Sequence, residues 1–270
     1  MRKLFVCIAL GLTTLTGNAA SPLWMRDVQI SPDGTEIAFC YKGDIYKVSA
    51  GGGTAIQLTT QPSYECTPIW SPDSKQIAFA SDRNGNFDIF VMPATGGTAQ
   101  RLTTHSSSEL PSAFTPDGKY ILFSASIQDP SQSALFPTTA MTELYKVPVN
   151  GGRTEQVLGT PAEAVCYAPS GEFFLYQDRK GFEDEWRKHH TSSITRDIWL
   201  YDTKTGKHTN LTNHAGEDRN PVLSPDGKSV YLLSERKGSF NVYSFPLDNA
   251  QDLKAVTSFK THPVRFLSMS

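Results

Sequence analysis

The sequence predicts an all-β protein: a β-propeller of five complete four-stranded blades from a six-bladed ring, with the chain breaking off at the start of blade six. Three observations carry this. One turn phrase returns five times. The same four features follow each copy in fixed order. The composition, with 20 Gly, 17 Pro and 11% aromatic residues in 270, suits many short strands joined by tight turns. Four strands per period, in units of 40 residues and upward, is the signature of a propeller blade. A β-sandwich would not repeat one turn phrase five times.

The first twenty residues stand apart. Arg2 and Lys3 precede an apolar run from Leu4 to Leu15, and Thr16-Gly17-Asn18-Ala19-Ala20 forms a small-residue exit. This is the pattern of a secretory signal peptide over residues 1–20, cleaved near Ala19 or Ala20, and it predicts a periplasmic or secreted protein. The run is shorter than the roughly 20 residues a bilayer requires, and no later segment approaches that length, so no membrane span is expected. Removing Arg2 and Lys3 takes the formal charge from −2 to −4. With no basic tract, nucleic-acid binding along a charged stripe is not expected. Cys40, Cys66 and Cys166 remain; an odd number cannot all pair internally, no C-x-x-C occurs, and whether any two pair is left open.

The turn phrase is Ser31-Pro-Asp-Gly34, Ser71-Pro-Asp-Ser74, Thr115-Pro-Asp-Gly118, Ala168-Pro-Ser-Gly171 and Ser224-Pro-Asp-Gly227, at spacings of 40, 44, 53 and 56 residues. Pro presets φ at the second turn position and Asp-Gly supplies the exit, so the phrase joins two antiparallel strands. A short apolar run follows, as in Ile37-Ala-Phe39 and Ile77-Ala-Phe79. Then comes an acid or amide ahead of an apolar pair: Asp44-Ile-Tyr46, Asp88-Ile-Phe90, Glu143-Leu-Tyr145, Asp197-Ile-Trp199 and Asn241-Val-Tyr243. A glycine turn able to take φ > 0 closes a second hairpin, and a Leu-Thr-like phrase ends the unit, as in Leu58-Thr59 and Leu102-Thr103. Within one unit the predicted strands are 67–70, 76–80, 88–92 and 99–102. The blades span approximately 24–59, 66–103, 111–158, 164–212 and 220–257 of a propeller over 21–270. Residues 263–270 re-enter the pattern, with Phe266-Leu267-Ser268 matching Val222-Leu223-Ser224.

The repeat resembles the TolB-type propeller repeat, in which Ser-Pro-Asp-Gly opens each blade. Two segments are more specific. Gly181-Phe-Glu-Asp-Glu-Trp-Arg-Lys-His-His-Thr-Ser-Ser-Ile-Thr-Arg-Asp-Ile-Trp199 and Thr257-Ser-Phe-Lys-Thr-His-Pro-Val-Arg-Phe-Leu267 look like parts of the first, six-bladed propeller of tricorn-type proteases. His190-Thr191-Ser192 departs from that family's frequent Arg-Gly-Gly. The resemblance implies that the chain is the non-catalytic front end of a secreted serine peptidase, gating or holding peptides for a core that lies beyond residue 270. It implies peptides or unfolded polypeptide and the downstream domains of the same gene product as partners, with a homo-oligomer possible. A TolB-like periplasmic binding propeller and the propeller of a prolyl-oligopeptidase-type peptidase are the alternatives.

Strand order puts the Ser-Pro-Asp-Gly and Gly-Gly turns on one rim. The loops between strands two and three, and those leading to the next blade, lie on the other. That second rim carries the insertions 126–141 and 177–196, and with them His105, His189, His190, His214, Glu217, Asp218 and Arg219. Long loops on a rigid scaffold are where function concentrates. Trp186, Arg187, His189, His190 and Arg219 are therefore the candidate peptide contacts, an aromatic beside cations suiting peptide carbonyls and carboxylates. No catalytic, cofactor or metal residues are assigned. His189 and His190 are adjacent on an extended chain and point apart. The stretch Asp82-Arg-Asn84-Gly-Asn86-Phe-Asp88 alternates oxygens like a calcium loop, but its Gly falls at the fourth position and no Glu stands at the twelfth. It reads as a hairpin tip. His105 and His214 share a repeat position and read as structural, and Asn210-Leu-Thr212 reads as a closing phrase. No G-x-S-x-G, Walker or dinucleotide motif is present.

Overall fold

A computed structural model of the chain describes residues 24–127, 141–181 and 191–270. The signal-peptide reading of residues 1–20 lies outside them, as do Trp186, Arg187, His189 and His190.

The described strands form five four-stranded antiparallel sheets, each a meander of consecutive strands. Blade one holds β1 (Arg26–Ile30), β2 (Glu36–Tyr41), β3 (Asp44–Ser49) and β4 (Ile56–Gln57). Blade two holds β5 (Glu65–Trp70), β6 (Gln76–Ser81), β7 (Asp88–Pro93) and β8 (Gln100–Arg101). Blade three runs from β9 (Glu109–Phe114) through β10 (Tyr120–Ala125) and β11 (Glu143–Pro148) to β12 (Glu155–Leu158). Blade four comprises β13 (Ala162–Tyr167), β14 (Phe173–Asp178), β15 (Ile198–Asp202) and β16 (His208–Asn210). Blade five comprises β17 (Asp218–Leu223), β18 (Ser229–Ser234), β19 (Asn241–Pro246) and β20 (Lys254–Ala255). The first strands of successive blades touch, β1 to β5, β5 to β9, β9 to β13 and β13 to β17. Apolar side chains from facing sheets interleave between them. Phe79, Ile77 and Met92 join Ala38 and Ile45 between blades one and two, and Leu232 and Phe245 join Leu175 and Ile198 between four and five.

The recurring phrases have concrete jobs. In Ser-Pro-Asp-Gly the serine or threonine hydroxyl donates to the Asp two residues on, at 2.5–2.6 Å in blades one, two, three and five. The same hydroxyl accepts the N–H of the residue five on: Glu36, Gln76, Tyr120 and Ser229. The hydroxyl thus links turn and second strand. Blade four, with Ala168 and Ser170, lacks that hydroxyl link; it keeps the backbone bonds of the turn, and the Glu172 N–H donates to the Ser170 hydroxyl at 3.3 Å. The closing threonine is a second latch. Thr59, Thr103, Thr212 and Thr257 accept the N–H of Ile45, Ile89, Ile198 and Val242 at 2.9–3.0 Å. Thr59 and Thr257 also donate to Asp44 and Asn241, the acid or amide that opens strand three.

One feature departs from the sequence expectation. The first strand of blade two begins at Glu65, not Thr67, because the Glu65 N–H bonds the Gly43 carbonyl of blade one at 2.7 Å. The strand then carries a β-bulge, and Thr67 takes φ +49°. Asp27, Ala164 and Asn220, at the matching positions of blades one, four and five, have φ between +48° and +51°. Blade three has Pro111 there. A left-handed backbone at a non-glycine residue costs energy that surrounding contacts must offset. Two of these bulges are held by the preceding blade: the Thr67 N–H donates to Asp27 at 3.1 Å and the Asn220 N–H to Gln177 at 2.9 Å.

Residues 263–270 form no strand with a partner sheet, yet they have a definite place. The Val264 N–H bonds the Phe240 carbonyl at 2.9 Å, the same bond that Glu109 makes to Phe87 and Asp218 to Arg196. Val264 and Leu267 pack against Leu233, Phe240 and Val242. Further on, Ser268 accepts the Ile30 N–H of blade one at 3.2 Å. The segment therefore runs between blades five and one, where the next first strand of the repeat would stand. Cys40, Cys66 and Cys166 are free thiols.

Candidate functional site on the insertion-bearing rim

Meandering sheets put the strand-two to strand-three loops and the blade-to-blade connections on one rim, as expected. At the repeat position opening the first strand, in blades two and five, a buried carboxylate is held by the serine that ends strand two and the arginine two residues past it. Glu65 accepts from Ser81 at 2.9 Å and from Arg83 at 3.1 Å. In blade five Asp218 pairs with Arg236 at 2.6 Å, and burial raises its pKa despite that partner and the Ser234 hydroxyl. Arg83 also lies over Phe90, and Arg236 over Tyr243.

Blade four rearranges this set and anchors both stems of its insertion. Lys180 donates to Asp197 at 2.6 Å and to the Thr195 carbonyl at 2.8 Å, and lies 3.4 Å from Asp178. Burial opposes its charge, but the Asp197 bond and the two carboxylates outweigh it and raise its pKa. Asp178 is raised chiefly by burial, although the Asp197 N–H and Trp199 Nε1 donate to it at 2.7 and 3.1 Å. Next to it, Arg196 pairs with Glu217 at 2.8 Å and Arg179 with Glu163 at 2.8 Å. The segments entering and leaving 182–190 are thus fastened by ion pairs, half-buried at Arg179 and Lys180 and buried at Arg196.

Of the candidate contacts, Arg219 is the one within the described residues. Its side chain is 6% exposed; the guanidinium stacks 4.1 Å over the Phe240 ring and lies 3.9 Å from Glu217. Exposed apolar groups do stand on this rim: Trp24 (75%), Phe259 (55%), Tyr64, Leu110 and Met141. These residues carry no repeat signal in the sequence, whereas the Asp178–Lys180 pair has one in its match in position to Ser81–Arg83 and Ser234–Arg236. His105 and His214 accept the N–H two residues on, from Ser107 and Gly216, at 3.0 and 2.9 Å, which is a structural repeat role. At the Asp82–Asp88 hairpin tip, Asp82 accepts the Tyr64 N–H and Asn86 donates to the His105 and Ser107 carbonyls. Asn210 accepts the N–H groups of Thr212 and Asn213. Two grooves lie on the opposite rim; the larger, about 550 Å³ between blades three and four, is lined by Asp117, Tyr120, Lys146 and Tyr167 among others. No described helix is long and apolar enough to cross a membrane.

Five four-stranded meanders, with a Ser-Pro-Asp-Gly-like turn between the first two strands of each, define a β-propeller of the TolB-like fold. The solved structure of a putative TolB from Agrobacterium tumefaciens superposes with a TM-score of 0.70 at 18% identity, covering 88% of this chain and 82% of that one. The crystal structure of the tricorn protease superposes with a TM-score of 0.76 at 21% identity, over 92% of this chain and 24% of that one. These likenesses show the fold. A family model, the tricorn protease N-terminal β-propeller domain, matches residues 22–270, and the chain belongs to that family. In sequence it is 32% identical over 72 residues to a Bacillus subtilis (strain 168) protein, the uncharacterized peptidase YuxL. That match takes in 27% of this chain and 10% of that protein.

Proposed function

We propose that this chain is the non-catalytic propeller portion of an exported tricorn-like serine protease, and that its insertion-bearing rim admits or holds peptides for a proteolytic core made of other residues. The family match over residues 22–270 carries the reading. Two features support it: exposed apolar side chains stand on that rim, and the stems of the blade-four insertion are held there by the Lys180–Asp197 pair. In this reading Trp186, Arg187, His189 and His190 meet the peptide, and Arg219, expected beside them as a contact, is stacked on Phe240 with its side chain only 6% exposed. The ring takes a sixth blade whose first strand is the 263–270 segment. The signal peptide over 1–20 directs the protein to the periplasm. A TolB-like binding propeller for envelope proteins is the second reading, favoured by the 82% coverage of the Agrobacterium chain.

The test is a Trp186→Ala, Arg187→Ala pair in the full-length protein. Turnover of long peptides falls, while stability stays within about 1 kcal/mol, the scale of surface substitutions. Unchanged turnover per folded molecule, or a collapse in stability, removes the peptide role.

A further inference from the structure

The carboxylate position that opens each first strand is furnished unevenly. In blade two Glu65 has Ser81 and Arg83; in blade five Asp218 has Ser234 and Arg236. In blade three the carboxylate is Glu109, and the two matching positions hold Ala125 and Ile127. Glu109 stands opposite Ala125 in the sheet, and Ile127 packs onto the apolar core between blades two and three. Yet Glu109 is 1% exposed, and its Oε2 is buried with no hydrogen-bond partner. It keeps its buried place while the serine and the arginine that hold its counterparts are both replaced by apolar residues.

Its surroundings do not replace them. The Thr103 hydroxyl donates to it. From β7 it faces Asp88, a like charge, and from β8 Arg101, which is already 2.7 Å from Asp88. On β5, Glu65 is held by Arg83; on β13, Glu163 is held by Arg179; on β11, Glu143 accepts from Tyr145. In the connection ahead of β9, the Nδ1 of His105 is taken by the Ser107 N–H. One arginine thus serves two buried carboxylates. Burial, with the Asp88 charge added, raises the Glu109 pKa to about 7 against the Thr103 bond and the Arg101 charge.

We infer that Glu109 is a proton-binding site at the junction of blades two and three, neutral in the settled fold, whose loss of a proton loosens that junction. The neutral acid can donate one hydrogen bond and leaves Arg101 to Asp88. The ionised form puts two carboxylates into one buried pocket with a single cation. Because the folded-state pKa lies above the ordinary carboxyl value, the stability tied to this proton is complete below about pH 4.5 and is lost as pH rises through about 7.

The experiment uses the full chain. The side-chain carboxyl resonance of Glu109, assigned by its absence in Glu109→Gln, is followed against pH, and melting temperatures are recorded from pH 5 to 8. The resonance is expected to titrate near 7. The melting temperature of the parent falls across that window, while that of Glu109→Gln, which mimics the neutral acid, falls less. An Ala125→Ser, Ile127→Arg variant, which restores the set of blades two and five, moves the midpoint downward. Should that variant not fold, the resonance and Glu109→Gln decide alone. A Glu109 midpoint near 4.5, or a Glu109→Gln profile parallel to the parent's, overturns the inference.

Discussion

The closing threonines show how one hydroxyl can define the end of a repeat. Thr59 is buried, accepts the Ile45 N–H at 2.9 Å and donates to Asp44. Strand four is short and exposed, so backbone pairing alone holds it weakly. Thr59→Ala leaves a buried N–H without an acceptor and is expected to cost about 1–3 kcal/mol in urea unfolding, with Thr59→Ser recovering most of it. Equal stability of Thr59→Ala and the parent would show that the latch adds nothing. The Asp…Leu-Thr pairing was legible as a repeat because both residues sit in contiguous phrases. Arg219 was not legible in the same way. It lies on the expected rim, but Phe240, which takes its guanidinium, is 21 residues later and carries no signal of its own.

At the scale of the element, the turns were readable and the bulges were not. Ser-Pro-Asp-Gly encodes its conformation locally, through a fixed proline φ and a serine–aspartate hydrogen bond. The left-handed residues of the first strands are Asp27, Thr67, Ala164 and Asn220. Asp and Asn tolerate that conformation, but Thr and Ala do not announce it. The Thr67 conformation is held by Asp27, 40 residues earlier, so the information is tertiary. The turn aspartates make a test of their own. Hydrogen bonds from Ser31, Ser71, Thr115 and Ser224 come first among the causes that lower the pKa values of Asp33, Asp73, Asp117 and Asp226. Carboxyls lowered in the fold contribute stability above the ordinary value of 3.8 and lose it as pH falls through the folded values. Asp117→Asn is therefore expected to lower the melting temperature at pH 7 and to flatten the acid side of the profile. A melting curve that shifts at neither pH would show the turn hydrogen bond to be dispensable.

Across the whole molecule, the weight of the seam between blades five and one falls on few groups. Phe240 is buried, carries Arg219 on its face and meets Val264 and Leu267 on its flank. Phe240→Ala is expected to cost about 3 kcal/mol, the low end for a large aromatic, because residues 263–270 can settle into part of the space. Chemical unfolding measures it, and a loss under about 1 kcal/mol would show that this segment merely lies against blade five.

Among the described residues every sheet is built from four consecutive strands, and none borrows a strand from its neighbour. The molecule is in this sense a linear array bent round on itself, like repeat proteins whose units touch only the next unit. At the seam, the Val264–Phe240 and Ile30–Ser268 hydrogen bonds tie residues 263–270 to blades five and one, and among the described residues no ladder crosses from blade five to blade one. Such an architecture can gain or lose a unit at that point without re-registering any existing pair of strands. Ring size is then a property that can vary by simple addition or deletion of chain, while the interior geometry of each blade stays as it was.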